Sequence, residues 1–300
     1  MSTTMTTGAL RLNTLGLIRA QGEDAAKFLH GQLTQDFALL GEGEARLAGY
    51  CSAKGRLLAT MIGWKAGTDE ILLALPLELL PTLLKRLSMF VLRAKCKLSD
   101  ASADWQLWGL IEAPAPGARW SLGREGESVR IRLPDDGSRS RWLLAQPADA
   151  PAPALPTITE ADWQWLELAS GLPWVRAETS EQFVPQMLNL ELLGGVNFQK
   201  GCYPGQEVVA RSQYRGTLKR RTYLYELDEG QALPGQEIFH SEDPGQPAGL
   251  VANVARREGK SLLLAETKIA ALASGSLHLG AADGPLLRPR ELPYALSEPQ

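Results

Sequence analysis

Lys200-Gly201-Cys202-Tyr203-Pro204-Gly205-Gln206-Glu207 sets a thiol two residues after an ammonium, between two glycines and ahead of an amide–carboxylate pair. A cation close by favours the thiolate form of a cysteine, which makes Cys202 a candidate nucleophile or soft ligand. Gly201 and Gly205 lack a Cβ and so admit a ligand or another backbone at close range. The competing reading of Cys202 is a small buried hydrophobe, the common setting of a lone cysteine.

On one side of the octapeptide stand Phe183-Val184-Pro185-Gln186 and Asn189-Leu190; on the other stand Val209-Ala210-Arg211, Tyr214-Arg215-Gly216 and Lys219-Arg220. Gly31-Gln32-Leu33-Thr34-Gln35-Asp36 near the start and Leu292-Pro293-Tyr294 near the end complete the set. Together they resemble the YgfZ family, whose signature reads K-G-C-Y-x-G-Q-E. Its members are folate-binding proteins related to the aminomethyltransferase of the glycine cleavage system. The resemblance covers nearly the whole chain and implies an α+β, three-domain aminomethyltransferase-like fold. Residues 1–45 plus 157–215 would form a discontinuous folate-binding domain, 46–156 an inserted ferredoxin-like α+β domain, and 216–300 a C-terminal β-barrel.

Composition agrees with a globular chain of roughly two or three domains: 300 residues, 44% hydrophobic and 22% charged. No uncharged apolar run reaches the ~18 residues of a membrane span. The Ser/Thr-rich start, Met1 to Gly8, lacks the basic and apolar regions of a secretory signal. Three cysteines without a C-x-x-C pair argue against a disulfide framework and for a reducing, cytoplasmic setting. The net charge of −3 gives no general attraction to nucleic acid, so any RNA contact must be local.

Along the chain, Leu10 to Ala20 alternates loosely, as a strand does, and Gly22-Glu23-Asp24 opens a helix with Ala25, Phe28, Leu29 and Leu33 on its buried face. His30 falls off that face and reads as a solvated or capping residue. Leu57–Ile62 is apolar enough for a strand buried on both sides, and Leu77, Leu80, Leu84, Leu87 and Val91 repeat as an amphipathic helix. Strand patterns at Trp105–Leu110, Val129–Leu133 and Trp142–Ala145 add to an antiparallel α+β layer. The Pro/Ala stretch 147–156 reads as a stiff linker and a domain boundary. Thr159-x-x-Asp162 caps a helix that stops at Gly171 and carries Trp163 and Trp165 on different sides. From Arg221 to Leu279 short strands recur at barrel spacing, with His240 and His278 as structural residues; the Pro-rich tail after Gly280 reads as irregular.

The strand after Lys54-Gly55-Arg56 carries Ala59 and Thr60 where the related aminomethyltransferases, by the resemblance, hold an acidic pair; neither acts as an acid or base near neutral pH. This weighs against a classical transferase unless another carboxylate enters the cleft. The resemblance makes Trp163 the wall for a pterin, while the family's other folate-associated tryptophan aligns with Leu15, leaving less stacking area. Core packing is the alternative for Trp163. Arg211, Arg215, Lys219, Arg220 and Arg221 form the densest basic run, either a solvated face, a landing site for the glutamate tail of folate, or a tRNA contact.

The expected function is binding of tetrahydrofolate or a one-carbon derivative, in support of assembly or repair of iron–sulfur enzymes and thereby of tRNA modification. The alternatives are a folate-dependent one-carbon transferase and a tRNA-binding accessory module. Cys202 and Lys200 are the expected reactive pair, on the wall of the folate cleft, with Trp163, Tyr203, Gln206, Glu207, Arg211 and Arg215 binding the cofactor. For Cys202, a nucleophile toward the activated one-carbon unit and a transient soft ligand for iron or sulfide remain open; no resident metal site is expected. The expected partners are folate and iron–sulfur proteins such as a tRNA-thiolating enzyme, with direct tRNA contact open and no membrane.

Overall fold

The computed structural model describes residues 7–214, 218–228 and 230–296. The opening pattern from Leu10 to Ala20 is broken at residues 12–14 into β1 (Gly8–Arg11) and β2 (Leu15–Gln21), which enter different sheets. After α1 (Ala25–His30), the chain forms β3 (Ala45–Cys51), β4 (Leu57–Gly67) and β5 (Glu70–Pro76). Then α2 (Leu80–Ser88) leads to β6 (Lys97–Asp100). The first sheet runs β3-β4-β5-β2-β6, antiparallel throughout. Its β4 is buried from Leu57 to Trp64, as the apolar run requires, and Gly63 leaves the space that the Phe37 ring fills. In α2, Pro81 suits the first turn, while Leu80, Leu83 and Leu87 face the core.

The second sheet is built from β7 (Trp105–Glu112), β8 (Leu122–Glu125), β9 (Ser128–Arg132) and β10 (Ser140–Pro147), with β1 at its edge in the order β1-β7-β10-β9-β8. The two sheets thus each combine strands from before and after residue 45. The Pro/Ala stretch is strapped down rather than free. Gln106 Nε2 donates to the Ala148 carbonyl at 2.6 Å, Gln146 Nε2 to that of Pro151 at 2.7 Å, and the Ala9 amide to that of Pro156 at 2.8 Å.

Next comes α3 (Glu160–Ala169), capped as its sequence predicts: the Asp162 amide donates to Thr159 Oγ1 at 3.1 Å, and Gly171 leaves the helix at φ +70°. The segment that follows carries α4 (Gln206–Tyr214). A third sheet holds β11 (Arg220–Leu227), β12 (Glu237–His240), β13 (Asp243–Arg257), β14 (Lys260–Lys268), β15 (Leu277–Leu279) and β16 (Arg288–Arg290), in the order β15-β12-β13-β14-β11-β16. The tail is not irregular, contrary to its proline content. Leu279 donates its amide to the Pro285 carbonyl and Leu287 to that of Leu277, both at 2.9 Å, after which β16 pairs with β11. Residues 285–290 therefore bond β15 with their first half and β11 with their second, bridging the two ends of a half-barrel sheet. Pro289 is tolerated because this strand is short and lies at a seam.

The two antiparallel sheets and α3 share one hydrophobic core, which includes Trp163 and Leu166. Leu168, on the same helix, packs instead with Leu224, Ala255, Leu262 and Leu264 of the third sheet. Thus α3 touches all three layers, and a cavity opens along it.

Candidate functional site

The break between β1 and β2 places Arg11, Leu12 and Asn13 opposite α3, and the chain after Gly171 brings Trp174 alongside; together they line a cavity of about 380 Å³. Trp163 is 4% exposed, so it is both a core residue and part of the wall. Its place is fixed by Gly109, where a Cβ would stand 2.6 Å from the indole ring, and by the buried Arg141 guanidinium, 4.4 Å from the ring centre. Arg141 in turn donates to Glu167 Oε1 and to Ser170 Oγ, both at 3.0 Å. Trp174 is held by Asn253 of β13, whose amide oxygen accepts from the Trp174 amide at 3.0 Å and whose nitrogen donates to its carbonyl at 2.9 Å. Neither Trp174 nor Asn253 stands out in sequence, because their pairing spans 79 positions.

Ala59 and Thr60 are fully buried. Thr60 Oγ1 accepts the Val175 amide at 3.1 Å, so the position that would carry a carboxylate in a transferase anchors the Trp174 segment instead. Carboxylates do reach the cavity from α3, at Glu160 and Glu167, the latter engaged by Arg141. Leu15 lies on the wall, as does Arg176, which is tied to Glu78 at 3.1 Å. The cavity thus offers indole surface, amides at Asn13 and Gln164, and guanidiniums at Arg11 and Arg176. That set suits a flat, polar-edged heterocycle with an anionic tail, and the residues fit a folate.

Lys200 and Cys202 are not among the residues lining this cavity. Their loop lies over the end of α1. Lys200, 7% exposed, donates through Nζ to the carbonyls of His30 at 2.5 Å, Leu33 at 3.1 Å and Gly201 at 3.3 Å, and stands 4.7 Å from the centre of the Tyr203 ring. Gly205, at φ +78°, presses on the β3–β4 turn, where a Cβ would meet the Ser52 carbonyl oxygen at 2.4 Å. That glycine serves backbone contact, not ligand approach. Cys202 is exposed, Tyr203 buried, and Gln206 and Glu207 open α4. The structure brings Lys200, Cys202 and Tyr203 together and leaves Trp163 in a different site.

Burial lowers the Lys200 ammonium from 10.5 to about 8, against the opposing pull of Asp36 and Cys202. Lys200→Met would orphan buried carbonyls, at a cost of roughly 1–3 kcal/mol. The pH dependence has a defined sign. The unfolded chain keeps this proton up to 10.5 and the folded chain releases it near 8, so the cost of burying the charge is relieved as pH rises through that window. Urea unfolding should show wild type gaining on Lys200→Met across it; a constant difference would mean that the amine titrates alike in both states.

The basic run is divided. Arg220 donates to both oxygens of Glu266, at 2.9 and 2.8 Å, and Arg221 to Glu191 at 2.5 Å, so two of its five cations are committed inside the fold. Arg211 and Lys219 are exposed; Arg215 lies outside the described residues. His240 and His278 are structural, bonded to Ser274 and Gly284 carbonyls respectively, each at 2.7 Å. Among the described residues no cluster of His, Cys, Asp and Glu could hold a metal, and no helix is long and apolar enough to cross a membrane.

No protein-family model matches the chain. It is 32% identical over 273 residues to the tRNA-modifying protein YgfZ of Hamiltonella defensa, covering 83% of this chain and 79% of that one. It is 30% identical over 272 residues to the protein of the same name from Aliivibrio fischeri, covering 85% and 83%. Among solved structures, the glycine cleavage system aminomethyltransferase T from Bartonella henselae superposes with a TM-score of 0.76 over 97% of this chain and 87% of its own, at 16% identity, so the fold is aminomethyltransferase-like.

Proposed function

We propose that this chain, which belongs to the YgfZ family, binds a reduced folate in the cavity beside α3 and supports tRNA modification through iron–sulfur enzymes, with Cys202 as its working thiol. The observation that carries the folate reading is the position of Trp163. It is seated on Gly109 and Arg141 at the junction of three layers, where it faces a cavity rimmed by amides and guanidiniums. The chain's own residues would hold the pterin against indole surface, meet its edge with Asn13 or Gln164, and meet the glutamate tail with Arg11 or Arg176. The relatives' printed names support the tRNA-modification part. Folate supplies a one-carbon carrier when bound. Thr60, spent on the Val175 amide, supports a binding role over transfer, while Glu160 and Glu167 in the wall make transfer the reading to test against.

Calorimetric titration with tetrahydrofolate, and separately with tRNA at two salt concentrations, divides the possibilities. Stoichiometric folate binding with weak salt dependence is expected. Absent folate binding with steeply salt-dependent tRNA binding would replace this reading by an RNA-binding module, since each phosphate contact releases counterions. Turnover of methylene-tetrahydrofolate with an amine or lipoyl acceptor would replace it by a transferase.

A further inference from the structure

The run from Lys85 to Lys97 holds five cations and no acid, in a chain whose net charge is −3. Within it, the loop between α2 and β6 leaves Met89, Phe90 and Leu92 in the open, 61%, 44% and 86% exposed. Single exposed apolar residues are ordinary, but three within four positions make a patch. Leu92 also sits at φ +45°, in the left-handed region that a side chain disfavours. The fold gains little packing from that leucine and still tolerates its strain. The loop is nevertheless held in place. Asp24 Oδ2 accepts the Lys95 amide at 2.8 Å, the Asp24 amide donates to the Lys95 carbonyl at 3.2 Å, and a Cβ on Gly22 would stand 2.2 Å from that carbonyl oxygen. The Phe90 and Ala94 amides donate to the Leu87 and Val91 carbonyls, at 3.0 and 2.8 Å.

We propose that this loop is a docking tip for an anionic lipid surface, with Met89, Phe90 and Leu92 entering the headgroup layer and Lys85, Arg93 and Lys97 meeting lipid phosphates. Lys85 lies one helical turn before Met89, and Arg93 follows Leu92 directly, so charge borders the apolar tip. Lys95 is spent on Glu23 at 2.5 Å, whereas among the described residues no carboxylate pairs with Lys85, Arg93 or Lys97. An apolar projection bordered by unpaired cations matches a surface that yields around it and is itself negative. Nucleic acid would use the charges but leave Met89 and Leu92 in water, with Phe90 alone to stack a base. That no helix among the described residues is long and apolar enough to cross a bilayer bears on spanning, not on docking.

The docking tip stands apart from the folate cavity and from Cys202, so either reading can fail alone. The test sediments the full chain with vesicles of phosphatidylcholine alone and of phosphatidylcholine containing about 30% phosphatidylglycerol. Binding to the anionic vesicles is expected to be stronger by about tenfold or more, and to fall as salt screens the charges. Leu92→Gly should weaken that binding about tenfold while thermal unfolding shows the variant no less stable, because glycine accepts the left-handed backbone. Lys85→Ala and Arg93→Ala should each weaken it about fivefold. Phe90→Ser carries the apolar arm if Leu92→Gly does not fold. Absent binding, equal binding to both vesicle types, or binding that the apolar variants leave unchanged would overturn the docking tip. So would RNA binding in place of vesicle binding, lost in the charge variants, which would assign the patch to nucleic acid.

Discussion

Cys202→Ser is expected to abolish support of tRNA modification in a cell lacking the wild-type chain, while leaving stability within ~0.5 kcal/mol, the usual range for an exposed substitution. The three cysteines differ in the way this requires. Cys51 is buried, and burial pushes its thiol up to about 12, so it is inert near neutral pH. Cys96 is partly buried, and its thiol is raised by burial and by Asp24. Cys202 is the exposed one. Serine keeps the shape and removes the soft nucleophile. Thermal unfolding, folate titration and the extent of tRNA thiolation, measured on the same variant, separate the outcomes. Full rescue by Cys202→Ser would remove the thiol from the function and leave the cavity as its seat.

The second large effect is at Trp163. Truncation to alanine removes a core indole, at a cost of roughly 3–5 kcal/mol, and also a wall of the cavity, which should weaken tetrahydrofolate binding by ~1–3 kcal/mol, by analogy with base stacking on aromatics. Because the alanine variant combines both losses, Trp163→Phe is the sharper probe. It keeps an aromatic face over Gly109 and Arg141 and gives up part of the stacking area. Urea unfolding and calorimetry on the phenylalanine variant should show a modest stability loss with a measurable loss of affinity. Affinity unchanged in a destabilised variant would assign Trp163 to the core alone.

The periodic parts of the fold were legible from the residues. The apolar run of β4, the Thr159 cap of α3 and the recurrent strands after Arg221 all follow from local pattern. Two features escaped because they depend on distant partners. The alternation from Leu10 to Ala20 carries no mark of the break that sends its halves to separate sheets and opens the cavity. The prolines of the tail disguise a strand whose hydrogen bonds are supplied by β11 and β15. At the site, the signature octapeptide marks Lys200 and Cys202 as electrostatically coupled neighbours, but not the packing role that the ammonium also has. Its hydrogens go to carbonyls. His30, off the buried face of its helix, reads in sequence as a solvated or capping residue; its carbonyl's bond to Lys200 spans 170 positions and leaves no local mark.

The seam made by residues 285–290 bears on how the molecule comes to be. During synthesis β11 and β15 emerge before the segment that joins them, so both wait with bare backbone edges of the kind that recruit stray strands. The sheet's two ends are joined only once residues 285–290 are in place, so a chain cut before them keeps two adhesive flanks instead of being merely a slightly shorter protein.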